Sequence, residues 1–215
     1  MRPTSSWGNC LTYLGKSGIG GKVGAGSRGH SLNTSEPIPK PTFAGTLRLI
    51  REDLTAHGGD STRPGFRALA VYRFGVWRMS VSPKVLRAPL SIIYRFFYRR
   101  ARNVYGIELP YSASVGRRVV IEHQSGIVVH GATVIGDDCI IRQNCTFGIR
   151  RVDEPTKAPV LGRGVDVGVG AVILGDIVIG DYATIGANAV VLSDVPARAM
   201  AVGVPAVIKT RKGAG

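Results

Sequence analysis

The sequence predicts a mainly β protein, a parallel β-helix of hexapeptide repeats preceded by a short α-helical region. The first sign is a period of six. From Leu161 to Val195 an aliphatic residue returns at Leu161, Val167, Ile173, Ile179, Ile185 and Val191. A second small or apolar residue stands two positions before each, at Pro159, Val165, Ala171, Ile177, Ala183 and Ala189, with Val195 closing the series. Six fits neither the 3.6 of an α-helix nor one ordinary strand-and-turn module. It fits a coil whose flat sides each use one hexapeptide and point one aliphatic side chain inward. Gly162, Gly168, Gly180 and Gly186 follow four of those inward residues, where the backbone turns a corner. The second sign is that the frame extends upstream, through Leu109, Val115 and Ile121, then Val129, Ile135, Ile141 and Phe147. Cys139 and Cys145 occupy its small-residue position and read as core hydrophobes.

Residues 44–105 read as helical. Leu47, Leu49, Ile50 and Leu54 suit a short amphipathic helix that stops near Gly58-Gly59. Pro64 suits a first helical turn, and Phe66, Leu69, Ala70, Phe74 and Trp77 follow at helical spacing. A third segment runs from Lys84 to Arg102, with Pro89 expected to kink or split it. Its end, Ile92 to Arg100, interleaves aromatics with arginines, which suits a helix packed on the coil with solvated arginines, or contact with a membrane surface. Nucleic acid is not expected as a partner.

Outside these regions, residues 1–43 are rich in Gly, Ser, Thr and Pro and are expected to be a disordered extension. Residues 106–209 form the repeat domain and 210–215 a flexible tail. Gly15-Lys16-Ser17 lacks the glycine five residues upstream that a phosphate loop needs, because Cys10 stands there. Net charge is +14, with 17 Lys/Arg against 4 Asp/Glu in residues 1–105 and 11 against 10 in residues 106–215. The basicity therefore belongs to the front half, and suits an anionic partner there. Three cysteines give no disulfide framework, no apolar run is long enough to span a membrane, and residues 1–30 lack the charged-then-apolar order of a secretory signal, so none is expected. A cytoplasmic, reducing setting is expected.

The frame breaks twice. Eight residues instead of six separate Ile121 from Val129, around Glu122 and His123. Fourteen instead of twelve separate Phe147 from Leu161, across a polar segment holding Arg150, Arg151, Asp153, Glu154 and Lys157. A repeat that departs from its own rule around a histidine and a carboxylate marks a candidate site. His123 is a candidate general base, since imidazole titrates near neutrality. A base needs a carboxylate to fix its tautomer, and both Glu108 and Glu122 are candidates. His130 follows an inward residue without irregularity and reads as a solvated corner.

The runs Gly106-Ile107-Glu108-Leu109-Pro110, Ile121-Glu122-His123-Gln124-Ser125-Gly126 and Cys145-Thr146-Phe147-Gly148 resemble the serine O-acetyltransferase family of hexapeptide-repeat acetyltransferases. So do Gly186-Ala187-Asn188, Gly203-Val204-Pro205-Ala206 and, in the helical region, Ile50 to Leu54 and Gly65 to Leu69, over residues 46–209 in all. The resemblance implies a left-handed coil and a homotrimer, with acetyl-CoA as co-substrate between neighbouring subunits and no metal. It implies O-acetylation of L-serine, a step toward cysteine, or of a sugar hydroxyl as in relatives serving surface-polysaccharide assembly. It implies His123 as catalytic base and Glu108 as its orienting acid, with Glu122, Lys157 and Asp60 toward the acceptor. Gly148, Gly168, Gly186 and Ala187 are implied along the acetyl-CoA groove. Two departures stand out. Lys157-Ala158-Pro159 replaces the family's Arg-His-Pro, which removes a histidine and a planar guanidinium from the acceptor side. The end Lys212-Gly213-Ala214-Gly215 lacks the terminal isoleucine by which many members dock cysteine synthase. The remaining reading is a non-catalytic trimeric scaffold, against which His123 and Glu108 together argue.

Overall fold

The computed structural model describes residues 41–210. The expected N-terminal extension, Gly15-Lys16-Ser17 and the residues after 210 lie outside them, apart from the extension's last three positions. Three helices come first: α1 (Phe43–Ala56), α2 (Pro64–Ser80) and α3 (Lys84–Tyr105). Fifteen short strands follow in three sheets.

Each sheet is one flat side of the coil. The first stacks Ile107–Glu108, Ile127–Val129, Thr146–Gly148, Val172–Leu174 and Val190–Val191. The second stacks Ser114–Val115, Val134–Ile135, Val160–Leu161 and Val178–Ile179. The third stacks Val120–Ile121, Ile140–Ile141, Asp166–Val167, Thr184–Ile185 and Met200–Val202, and ends on Val207–Lys209, which folds back antiparallel. All other pairings are parallel between successive coils, such as Val172↔Val190 and Thr184↔Asp166. Ile135, Ile141, Leu161, Val167, Ile173, Ile179, Ile185 and Val191 all point inward and are buried, as the six-residue period requires. Phe147 fills one aliphatic position with a ring and is fully enclosed.

The register corrects the second frame break. Ile135 pairs with Leu161, so Leu161 lies on the second side, one hexapeptide after Phe147 on the first. The polar segment is thus an insertion of eight residues into a six-residue side, not two into twelve. Sequence spacing alone cannot separate these, because fourteen is two more than twelve and eight more than six.

Two helical expectations also change. α3 runs through Pro89 as one helix. Pro89 is only its sixth residue, so the proline forfeits one hydrogen bond, to Val85, near an end where the first N–H groups have no helical acceptor anyway. The buried residues of α1 are polar, Thr46 and Asp53, with buried His57 just past its end; of the expected apolar residues Leu49, Ile50 and Leu54 are half-buried and Leu47 is exposed.

The reason lies in the open end of the coil. Its first turn has no coil beneath it, so its backbone groups need other partners. The helices supply them with side chains. Tyr72 donates its hydroxyl to the Ala113 carbonyl (2.9 Å) and accepts the Val115 N–H (3.0 Å). Arg73 donates to the carbonyls of Val115 and Gly116, and also meets Asp53 of α1 at 2.9 Å. His57 accepts the Ile121 N–H on Nε2 (3.2 Å) and donates from Nδ1 to the Asp53 carbonyl (2.7 Å), which fixes its tautomer. Gly65 of α2 lies so close to Ile121 that a Cβ would overlap its carbonyl oxygen. Gly65→Ala is expected to cost about 1–3 kcal/mol by overpacking. It should also lower activity, because Ile121 is two residues from His123. Urea unfolding with unchanged midpoint would show that this contact does not matter.

Candidate active site

The first coil carries the extra residues. Twenty positions separate Ile107 from its partner Ile127, against eighteen from Val129 to Phe147. The surplus forms a bulge over 122–126 at the corner where the third side passes to the first. Ser125 (φ 86°) and Gly126 (φ 65°) turn it in the left-handed region, where a side chain is strained. A Cβ on Gly126 would overlap Asn144 of the next coil. The Ser125 N–H donates to the Tyr105 carbonyl, and the Asn144 N–H donates to that of Ser125, both at 2.9 Å. Pinned above and below, the bulge holds His123 out from the coil, exposed to solvent.

Coil register sorts the remaining candidates by edge. The corner bearing Glu122 and His123 continues upward through Arg142-Gln143-Asn144, then Gly168 and Gly170, then Gly186, Ala187 and Asn188. The ladder bonds along it run from Gly170 N–H to the Gln143 carbonyl (3.0 Å) and from Asn188 N–H to that of Val169 (2.7 Å). Gly168 has no room for a Cβ against Ala187, which leaves this edge smooth. Glu108 lies on the adjoining first side and points outward, one position past Ile107. Asp60 belongs to the α1–α2 turn, where it accepts two bonds from Thr62. That turn is tied to the bulge through Arg67, which donates to the Ser61 carbonyl and to the Tyr105 hydroxyl.

Gly148 and Lys157 lie elsewhere. Gly148 follows Phe147 at the next corner, in one column with His130, whose N–H donates to the Phe147 carbonyl (2.8 Å). The inserted loop leaves from here. Arg150 crosses Gly175 and donates to the Leu192 carbonyl, Arg151 pairs with Asp153, and Lys157 pairs with Glu154 at 3.0 Å. These exposed pairs raise the Lys157 ammonium and lower the Asp153 carboxyl. His130 caps its own turn, with Nδ1 accepting the Ala132 N–H. Ala158 is buried.

The carboxylates have partners of their own. Glu108 accepts the Tyr98 hydroxyl at 3.4 Å, and burial followed by the Glu108 charge pushes that phenol up. Glu122 meets the Arg142 guanidinium at 2.9 Å, and Arg142 also bonds Asp166 one coil above. The hydrogen bond that Arg142 donates to Asp166 leads in raising Arg142. Arg142, Tyr98 and His57 were not singled out from the sequence. Arg142 had a usable signal, since Glu122 and Arg142 fall twenty apart, the length of the bulged coil. Cys139 and Cys145 are buried, and burial pushes the Cys139 thiol up to about 11. Both are inert core residues.

A coil that holds one histidine out from a deformed corner, above an edge kept smooth by glycines, is the architecture of a left-handed β-helix acyltransferase. Comparison with known proteins carries this to a family. No family model matches the chain. The serine acetyltransferase of Synechococcus elongatus is 34% identical over 176 residues, covering 80% of this chain and 69% of its own length. That of Helicobacter pylori strain J99 is 38% identical, covering 74% and 91%. WcaB of Escherichia coli K12, provisionally named a colanic acid biosynthesis acetyltransferase, is 39% identical, covering 75% and 99%. Among solved structures, a serine acetyltransferase in complex with CoA superposes with a TM-score of 0.64 at 28% identity, over 78% of this chain and 71% of that one. Soybean serine acetyltransferase complexed with serine does so with a TM-score of 0.65 at 29% identity, over 76% and 69%. The chain belongs to the serine acetyltransferase family and is an acyltransferase.

Proposed function

We propose that this chain transfers the acetyl group of acetyl-CoA to the hydroxyl of L-serine, in the cytoplasm. The observation that carries the acceptor is the Glu122–Arg142 pair beside His123. A serine zwitterion presents an ammonium and a carboxylate within one small molecule. When serine binds, Glu122 turns from Arg142 to the ammonium, and the guanidinium edge it leaves meets the serine carboxylate while Asp166 keeps the other side. That planar fork grips a carboxylate better than the point charge of Lys157.

His123 removes the acceptor proton as the oxygen attacks the thioester carbonyl. The resulting oxyanion is held by backbone N–H donors near Gly148. Collapse breaks the C–S bond, and the thiolate leaves with the proton that His123 took. Glu108 stabilises the imidazolium once the acceptor orders the site, with Tyr98 holding that carboxylate in the free chain. Asp60 closes the acceptor side. Gly168, Gly186 and Ala187 give the pantetheine arm a smooth edge. His123 and Gly148 stand on different corners of different coils, so a complete site takes one corner from each of two chains. A threefold homotrimer supplies three such sites.

Steady-state release of CoA with serine tests this. Serine should saturate within the ordinary range, up to about 1 mM. Arg142→Lys should raise KM for serine by roughly tenfold with kcat little changed, the loss of one bidentate contact. Light scattering should give three chain masses. The second reading is a sugar acceptor. It rests on the WcaB match over nearly that protein's whole length and on the missing histidine at Ala158. Failure of serine at every concentration, with turnover of a nucleotide- or lipid-linked sugar, would establish it instead.

A further inference from the structure

The acetyl-transfer site uses one face of α3 and leaves the other unassigned. Tyr94 and Ala101 are buried against the rest of the protein, and Tyr98 reaches Glu108. On the opposite side Val85 (83% exposed), Ile92 (67%) and Phe96 (64%) fall in one line at helical spacing. Leu86, Ile93, Phe97 and Val104 flank that line and are also exposed. So large a set of solvent-facing apolar side chains on one helix marks a contact surface. The helix holds six Lys/Arg and no Asp or Glu. Arg95, Arg99 and Arg100 border the apolar line.

We propose that this face of α3 lies on an anionic phospholipid bilayer, with Ile92 and Phe96 among the acyl chains and the arginines at the headgroups. An amphipathic helix with a basic border and aromatic or aliphatic anchors has the chemistry of an interfacial helix. Among the described residues no helix is long and apolar enough to cross a membrane, so α3 rests along the surface. A second copy of the same face fits poorly, because isologous pairing would set arginines against arginines with no acid between them. A nucleic acid would meet the arginines but leave the aliphatic line against phosphate.

Co-sedimentation of the full chain with vesicles tests the proposal. The chain should bind phosphatidylcholine vesicles containing phosphatidylglycerol, and should bind those of phosphatidylcholine alone far more weakly. Arg95→Gln/Arg99→Gln/Arg100→Gln should weaken binding at least about tenfold, since each cation near such a surface contributes roughly a factor of five. Ile92→Glu/Phe96→Glu, and the milder Phe96→Ser, should also lose binding. Acetyl transfer to a soluble acceptor should be unchanged in all three, which shows that they fold. Undiminished vesicle binding by these variants would overturn the proposal and assign the attraction to residues 1–40. So would a fall in particle mass on Phe96→Ser without vesicle binding by the parent, which would make the face an interface between copies. Binding of a DNA duplex in place of vesicles would also overturn it.

Discussion

His123→Ala is expected to lower acetyl transfer by roughly 10² to 10⁴, the usual contribution of a positioned general base. CoA binding, measured by calorimetry on the folded variant, should stay close to the parent value. The edge proposed for the cofactor, at Gly168, Gly186 and Ala187, is backbone and small side chains, and the substitution does not disturb it. His130→Ala should keep almost full turnover, because that ring only caps its own turn through the Ala132 N–H. Full activity in His123→Ala would remove the bulge from the chemistry. A dead His130→Ala beside an active His123→Ala would move the base to the Gly148 corner.

The second large effect is on stability. Arg73→Ala should cost about 3–5 kcal/mol, because it strands the buried Asp53 carboxylate. The side chains of Arg73 and Asp53 are 5% and 1% exposed, so water cannot replace the lost partner. The same guanidinium also satisfies the carbonyls of Val115 and Gly116, and those would be orphaned too. Urea unfolding should show a much lower midpoint at similar slope. The paired change Asp53→Leu/Arg73→Leu should be less harmful than Arg73→Ala, since it buries no unpaired charge. Equal losses in both would mean that the carbonyl contacts, and not the ion pair, join α1 and α2 to the coil.

These two residues mark different depths of legibility. His123 was readable because it sits where a strict period fails, and a period is a property of sequence alone. Arg73 was not, because nothing in its neighbours distinguishes an arginine that caps a coil from one that meets solvent. Residues Asp53 and Arg73 are brought together by helix packing, and their importance arises only from the burial that packing imposes. The same holds for His57, which lies in a loop by sequence and at the hydrogen-bonded edge of the first coil in space.

The hexapeptide period determined the coil, its inward residues and the position of the bulge, since one inward side chain per flat side is a local, repeating demand. The resemblance carried by Glu108, Glu122, His123 and Gly148 pointed to acetyl transfer. Only the tertiary structure decided which edge each candidate occupies. It set Gly148 and Lys157 on a corner away from His123, and Arg142 in contact with Glu122. It also showed the insertion after Phe147 to be eight residues. Corner identity depends on the cumulative register of whole coils. A chain with irregular insertions does not reveal that register until strand pairing closes each coil on the next.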